Sequence, residues 1–223
     1  MLADFRHIEA GYRKPAALRP PNVEIDRQKG VIAMAMNLLH RHRCSSAGWA
    51  KEVADELLPW ALDGVELGSR TLEIGPGYGA TLSAPLDRTA SLTAVELDPV
   101  MADRLQRRYG DRARVIQASG TETGLPANHF TSVVCFTMLH HVPSPQLQDQ
   151  LFAEALRVLQ PGGTFAGSDG VPSWAFRLLH VADTYNPIAP KDLPGRLAAA
   201  GFADIHADAR GGRQRWRAVK PID

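Results

Sequence analysis

The chain has 223 residues, of which 44% are hydrophobic, and a formal net charge of +1. This near-neutral balance excludes a global electrostatic field that would draw the whole molecule to nucleic acid or to anionic lipid. A chain of this length suits one domain with appendages and buries roughly 70% of its unfolded surface, so that neither a disulfide nor a structural metal is required.

The N-terminal part of the chain shows two kinds of sequence. Residues 1–30 are polar and interrupted by prolines, which predicts an irregular arm. Residues 31–68 contain two helical patterns, and the second of them starts near Ser45 or Ser46, either of which can cap a helix. We therefore expect a helical segment between the arm and the rest of the chain.

Residues 69–223 alternate between short apolar runs and helical stretches. The strand candidates are TLEI, SLTAVEL, RVIQA, SVVCFTML and GTFAGSD, and then, towards the end of the chain, ADIHADA and RQRWRAV. Helical patterns fall near residues 79–86, 99–109, 146–159 and 173–183. Strands that alternate with helices predict an α/β fold, with a parallel sheet covered by helices on both faces.

The stretch LEIGPGYG places a glycine-rich turn at the end of the first core strand. Gly75 and Gly77 allow a sharp bend and a close approach of backbone to a ligand. Glu96 ends the next strand, where a carboxylate can accept hydrogen bonds from both ribose hydroxyls. Glu73 would be repelled by a pyrophosphate but attracted by a sulfonium or an ammonium group. The residues therefore favour a nucleoside ligand that carries positive charge.

Four stretches together resemble the class I S-adenosylmethionine-dependent methyltransferases of the small-molecule branch: LEIGPGYG, TAVELDPVM, FTMLHHV and ALRVLQPGGTF. The resemblance covers about residues 70–170. It implies a Rossmann-like, doubly wound sheet of seven mostly parallel strands with the last strand antiparallel, and S-adenosyl-L-methionine as the cofactor. It also implies that a methyl group is transferred to a small-molecule acceptor by in-line displacement.

The resemblance also assigns cofactor contacts, at Glu73, Gly75, Gly77, Tyr78, Glu96, Leu97, Phe136 and Thr137. One stretch departs from the family pattern, because SGTETGLP stands where the family usually has Gly-Asp-Ala before Leu-Pro. Thr121 occupies the position of the adenine-binding Asp and Glu122 follows it. Either Glu122 substitutes, or backbone groups do, or cofactor affinity is reduced. A degenerate cofactor-binding protein without activity is therefore an alternative.

The resemblance and the chain order also predict where the acceptor is bound. Members of the family form a lid from helices before the core, so residues 31–68 are predicted to cap the substrate. The predicted substrate contacts are Tyr12, Trp49, Met138 and Trp174. His140 and His141 follow the fourth strand, where an imidazole can accept the proton of a hydroxyl acceptor. We favour His140 as the base because it is nearer the strand end, and the alternative is that both histidines only shape the loop.

The remaining histidines do not predict a metal site. His40 and Cys44 share one face of a helix, but His42 points away and no further Cys/His pair stands nearby. We expect this segment to be a basic, solvated helix end and no metal to be bound. His129 and His180 are interpreted as ordinary surface or loop residues.

Two other enzyme classes are less favoured. Glu73 and the G-x-G-x-G spacing argue against an NAD-dependent oxidoreductase. No Asn/Asp-Pro-Pro-Tyr-type motif follows the fourth strand, as a nucleic-acid methyltransferase would require. Arg213, Arg215 and Arg217 could form a cationic stripe on the final strand. We expect this stripe to be solvated and no nucleic acid to be bound.

The cellular setting is also an expectation from the sequence. Cys135 lies in a buried strand candidate, and a disulfide with Cys44 is not expected, which fits a reducing compartment. The first residues lack a signal-peptide pattern, and the longest apolar run is too short to span a bilayer. These features predict a cytoplasmic protein without a membrane partner, present as a monomer or homodimer.

Overall fold

The structure, a computed structural model, describes residues 37–222. The predicted arm over 1–30, with Tyr12 in it, and the first part of the predicted cap lie outside the described residues. The domain boundaries at residues 30 and 68 stay predictions.

Seven strands form one sheet in the order β3-β2-β1-β4-β5-β7-β6. Their bounds are β1 Arg70–Ile74, β2 Ser91–Glu96, β3 Ala113–Gln117, β4 Phe130–Phe136, β5 Leu159–Gly170, β6 Ala203–Arg210 and β7 Arg213–Val219. The first five strands pair in parallel, whereas β7 runs antiparallel between β5 and β6. The predicted Rossmann-like sheet with an antiparallel last strand is therefore confirmed.

Helices connect the strands on both sides of the sheet. Their bounds are α1 Leu38–Cys44, α2 Ala47–Glu52, α3 Leu58–Ala61, α4 Ser83–Arg88, α5 Pro99–Tyr109, α6 Pro145–Val158, α7 Trp174–Leu179 and α8 Leu193–Ala199. A π-helical turn at Val53–Leu57 joins α2 to α3, and a 3-10 turn at Leu139–His141 follows β4. No helix among the described residues is long and apolar enough to cross a membrane.

Capping residues explain where several helices start. The Asp98 carboxylate accepts hydrogen bonds from the backbone N–H groups of Val100 and Met101, and Pro99 occupies the first turn of α5. The Ser46 hydroxyl accepts one from Trp49 N–H at the start of α2. Each cap satisfies a backbone donor that the first turn cannot pair internally. The bounds of α5 accordingly coincide with the predicted 99–109.

The segment from α2 to α3 forms part of the core. Its apolar residues Leu57 and Leu58 are at most 1% exposed and share a hydrophobic cluster with Val134 and Phe136 of β4 and Ala166 of β5. The part of the predicted cap from α2 to α3 therefore packs against one face of the sheet. The other face is packed against α6, whose Phe152 and Leu151 are also buried.

Candidate functional site

A cavity of about 540 Å³ lies at the carboxyl ends of the central strands. This is the edge of an open parallel sheet where ligands bind, and the volume is that of a small-molecule site. Its walls come from the glycine turn after β1, the ends of β2 and β4, helix α1, helix α7 and the turn between β6 and β7.

The glycine turn adopts a backbone that other residues rarely accept. Gly75 has φ +68° and Gly77 has φ +55°. A Cβ on Gly75 would lie 3.0 Å from the Met138 side chain, whereas one on Gly77 would project into open space. Gly77 therefore keeps part of the cavity free, which a ligand that lies along the turn requires.

Glu96 links this turn to the end of β2. Its carboxylate accepts hydrogen bonds from Gly77 N–H at 2.9 Å and from Asp98 N–H at 3.0 Å. Burial nevertheless raises the pKa of Glu96 above its ordinary value. A carboxylate offers about four acceptor positions, so two remain for the hydroxyls of a ribose. Glu96 lines the cavity, as its predicted role requires.

Glu73 lies beneath the cavity wall and is completely buried. Thr81, which does line the cavity, donates its hydroxyl to Oε1 of Glu73. Within residues 37–222, Oε2 of Glu73 has no hydrogen-bond partner. Burial is the main reason that the pKa of Glu73 is raised to about 8. A cationic donor near Oε2 would satisfy this atom and restore the carboxylate.

The end of β4 forms another wall of the cavity. Phe136, Thr137 and Met138 all line it. Thr137 has φ +52°, an uncommon conformation for a β-branched residue, and its N–H donates to Ser168 O at 2.7 Å. Such backbone strain is concentrated at functional sites.

His140 and Asp169 form a buried pair on the cavity wall. The two side chains are 3% and 1% exposed, and His140 Nδ1 lies 2.5 Å from Asp169 Oδ1. The backbone N–H of His140 donates to the other carboxylate oxygen at 2.9 Å. With the Asp169 carboxylate as acceptor, Nδ1 is assigned as the donor, and in the neutral tautomer this leaves the lone pair on Nε2. Among the described residues this Nε2 has no partner.

Sequence reasoning missed Asp169. It ends the GTFAGSD run of β5, and β5 pairs in parallel with β4, the strand that precedes His140. Acidic side chains at the carboxyl ends of neighbouring parallel strands meet at one edge of a sheet. The place of Asp169 at the carboxyl end of a strand candidate was therefore the feature of the sequence that could have identified it.

Several predicted site residues are not brought to the cavity. Leu97 is 40% exposed and Trp174 is 82% exposed, and neither lines it. Thr121 hydrogen-bonds to Ser119 in a turn, and Glu122 is exposed, so this stretch is also outside the cavity wall. Trp174 stands on the solvent side of α7, two positions before Phe176.

Other predicted contacts do line the cavity. Trp49 and Tyr78 are there, and Tyr78 also stacks under the Arg104 guanidinium at 5.1 Å. Phe176 takes the place expected of Trp174 on the α7 side, and its ring centroid is 4.8 Å from that of His140. The cavity wall therefore carries the aromatic side chains of Trp49, Tyr78, Phe136 and Phe176, of which Phe176 packs against His140.

The structure corrects the interpretation of two histidines. His40 is 5% exposed rather than solvated, and His180 is 3% exposed rather than a surface residue. Both pack around His141, with centroid distances of 5.1 Å from His40 and 5.3 Å from His180. His42, by contrast, is exposed as predicted. No local pattern indicated this cluster, because α1, the turn after β4 and the end of α7 meet only in the folded chain.

The strand order, the antiparallel seventh strand and the cavity above the glycine turn are those of the fold of class I S-adenosylmethionine-dependent methyltransferases. Residues 72–167 match the model of the family described as a methyltransferase domain. The chain thus carries the methyltransferase domain that its motifs predicted, and S-adenosylmethionine is the cofactor of that class.

Curated proteins that are similar to part of the chain include ribosomal RNA methyltransferases. A segment of 53 residues is 45% identical to the ribosomal RNA small subunit methyltransferase A of Mycobacterium bovis (strain BCG / Pasteur 1173P2), and it covers 24% of this chain but 17% of that protein. The chain therefore matches about a sixth of the length of this curated relative.

Two solved structures have a similar fold. The methyltransferase in complex with the Haloferax volcanii Trm112 methyltransferase activator has a TM-score of 0.67 and 15% identity, with 84% of this chain and 100% of that chain covered. Phosphoethanolamine N-methyltransferase 2 of Haemonchus contortus, in complex with S-adenosyl-L-methionine, has a TM-score of 0.64 and 17% identity. The match covers 78% of this chain and 53% of that chain. At these identities the likeness concerns the fold.

Proposed function

We propose that the protein transfers the methyl group of S-adenosylmethionine to a hydroxyl of a small, aromatic acceptor, with His140 as the general base. The observation that carries this proposal is the His140–Asp169 pair on the cavity wall, with the ring of Phe176 packed against His140. Methyl transfer needs a base only where the attacking atom keeps a proton, and a hydroxyl is such an acceptor.

The residues at and behind the cavity wall fit the cofactor. Oε2 of Glu73, behind the wall, lacks a partner in the described chain. Glu96 retains acceptor capacity beside Gly77, where a Cβ would meet no atom within 4 Å. Glu73 and Glu96 would hold the cationic and ribose parts. When bound, the cofactor supplies a methyl group on a sulfonium, which is already a strong electrophile.

The chain's own task is to position the acceptor and remove its proton. His140 Nε2 accepts the hydroxyl proton, while the Asp169 carboxylate fixes the ring through Nδ1 and stabilises the imidazolium that forms. The apolar walls at Trp49, Phe136 and Phe176 hold an aromatic ring and exclude water. Such positioning contributes roughly 7–11 kcal/mol to lowering a barrier.

A nucleic-acid acceptor is less well supported, although one curated relative is a ribosomal RNA methyltransferase. The three arginines of β7 share one face, but Arg213 pairs with Glu52 and Arg215 pairs with Asp208 at 2.9 Å. Two cations of the predicted stripe are therefore already neutralised. Retention on RNA or DNA that weakens steeply with salt would favour this alternative.

Replacement of His140 tests the proposal. We expect His140→Ala to lower turnover at least tenfold, with little change in affinity for S-adenosylhomocysteine, because the base contacts the acceptor. Turnover is measured as transfer of a radiolabelled methyl group to a panel of phenols and catechols, and cofactor affinity by calorimetry. Asp169→Asn should lower turnover in the same way, since Asn does not fix the Nδ1–H tautomer.

His129→Ala is the matched control, because His129 is exposed and lies outside the cavity. Unchanged turnover in His140→Ala would remove His140 from the mechanism. Binding of S-adenosylhomocysteine without methyl transfer to any acceptor would instead support the degenerate cofactor-binding protein, and no binding at millimolar ligand would exclude the enzyme.

A further inference from the structure

Three histidines from separate parts of the sequence meet beside the cavity. His40 comes from α1, His141 from the turn after β4, and His180 from the end of α7. All three are buried, and one ring nitrogen of each lies within 4.8 Å of those of the other two. His40 and His141 also line the cavity, so the cluster borders the space that a ligand would enter.

The rings of His40 and His180 are each oriented by a hydrogen bond on their outer side. Asp183 Oδ2 lies 2.9 Å from His40 Nδ1, and Phe176 O accepts from His180 Nδ1 at 2.8 Å. The backbone of Thr184 raises the pKa of His141, against the larger lowering by burial. For His40 and His180 these bonds use Nδ1, so Nε2 is the ring nitrogen left for a ligand. Nε2 of His180 has no partner in the part of the chain that the structure describes.

The arrangement is typical of metal ligands. Metal-binding histidines nearly always donate their other ring N–H to a carboxylate or a backbone carbonyl, which fixes the ring and its tautomer. Burial, the largest effect in each case, lowers the pKa of all three imidazoles, and that of His180 to about 4. The rings are consequently neutral near pH 7, as ligation requires.

We propose that His40, His141 and His180 bind one divalent transition-metal ion, with zinc as the preferred ion. Three imidazole nitrogens with a fourth position open are a ligand set of catalytic zinc sites. Zn–N bonds of about 2.0–2.1 Å in a tetrahedron separate the nitrogens by about 3.3 Å. The rings therefore need to converge by up to about 1.5 Å when the ion binds.

The fourth ligand would come from outside these three residues, as water or as an oxygen of the acceptor. A metal-bound hydroxyl has a lowered pKa, so the ion would assist His140 in the proton transfer. This role rests on the proposed function, whereas metal binding itself does not. The expectation of no metal site rested on His40, His42 and Cys44, which are close in sequence. His141 and His180 are distant in sequence and were not part of that set.

Zinc stoichiometry tests the site directly. Protein purified without a histidine tag is stripped with a chelator, dialysed against Zn²⁺ and measured by elemental analysis and by competition with a chromophoric chelator. We expect one zinc per chain in the wild type and in His42→Ala, whose exposed histidine lies two residues from His40. We expect His40→Ala and His180→Ala to lose the zinc.

Asp183→Asn provides a variant that keeps all three ligands. It should lower zinc affinity by about 10- to 100-fold, because the carboxylate orients His40. Circular dichroism identifies any variant that fails to fold, and for folded variants the zinc-induced rise of the melting temperature gives a second readout. That rise should occur in the wild type and His42→Ala and be absent in His40→Ala.

Two results would overturn the proposal: wild-type protein that retains no zinc, or His40→Ala and His180→Ala variants that retain a full equivalent. Since these readouts do not depend on turnover, they distinguish failure of the metal site from failure of the proposed methyl transfer. Substitution of cobalt for zinc reports the geometry, because a tetrahedral site gives an intense visible absorption.

Discussion

At the scale of single residues, the buried carboxyl of Glu73 has hydrogen-bond partners for only one of its two oxygens among the described residues. Thr81 satisfies one oxygen, and the other has no partner among residues 37–222. Burial raises the pKa of this group from 4.5 to about 8, so the folded chain holds a proton that the unfolded chain has already released at neutral pH. The bound proton neutralises the buried carboxylate, as a cationic group near Oε2 would also do.

This linkage predicts a pH effect for Glu73→Gln. Between pH 4.5 and about 8 the folded state binds more protons at Glu73 than the unfolded state, so this residue makes stability fall as pH rises, by at most about 1.4 kcal/mol per pH unit. Glu73→Gln removes that slope. Urea unfolding should therefore show the variant gaining stability over the wild type as pH is raised through this window.

The exposed Glu66 supplies the control, since Glu66→Gln should leave the difference from wild type constant with pH. A Glu73→Gln variant whose stability difference is equally constant would show that the carboxyl titrates normally. The same variant should bind S-adenosylhomocysteine more weakly, because an amide attracts an ammonium group less than a carboxylate does.

At the scale of elements, the segment from α2 to α3 contributes to the core of the domain. The resemblance predicts a cap over residues 31–68, and this stays a prediction. Leu58 of the same segment is 1% exposed and lies in one cluster with strand residues of β4 and β5. In the described part of this segment, helix α1 supplies most of the cavity residues. Trp49 and Leu57 also line the cavity.

Leu58→Ala distinguishes a core element from a peripheral cap. Truncation of a buried leucine removes apolar burial and leaves a cavity, so we expect a loss of about 2–5 kcal/mol in the free energy of unfolding. Glu56→Ala, at an exposed site two residues earlier, should change it by no more than about 0.5 kcal/mol. A loss in Leu58→Ala as small as that of the control would mean that the segment folds independently of the sheet.

At the scale of the whole molecule, cofactor binding should stabilise the fold. A ligand at 100 times its Kd adds about 2.7 kcal/mol, and in a chain of this size each kcal/mol shifts Tm by about 2–4 °C. We therefore expect S-adenosylhomocysteine to raise Tm by roughly 5–10 °C and NADH to leave it unchanged. Thermal unfolding with each ligand measures this.

Glu96→Ala should reduce the shift with S-adenosylhomocysteine, since Glu96 lines the cavity and offers the ribose its acceptors. A shift with NADH and none with S-adenosylhomocysteine would contradict the class of cofactor that the site supports.

The sequence by itself determined the layered architecture and the edge of the sheet at which the cavity lies. Apolar runs of strand length followed by helical periods require a parallel sheet covered on both faces, and such a sheet binds ligands at its carboxyl edge. The positions of Gly75, Gly77 and Glu96 on the cavity wall were predictable because they follow from local backbone freedom and from the end of a strand. The position of His140 on that wall was predictable because it closely follows β4.

Only the tertiary structure decided which side chains meet around that edge. Asp169 reaches His140 because β5 lies next to β4, and the cluster of His40, His141 and His180 forms where α1 and α7 converge on the turn after β4. Such contacts join residues separated by 29 to more than 140 positions in the chain, as the pairs His140–Asp169 and His40–Asp183 do. Local pattern carries no information at that separation, because the packing of whole elements sets which of their side chains touch.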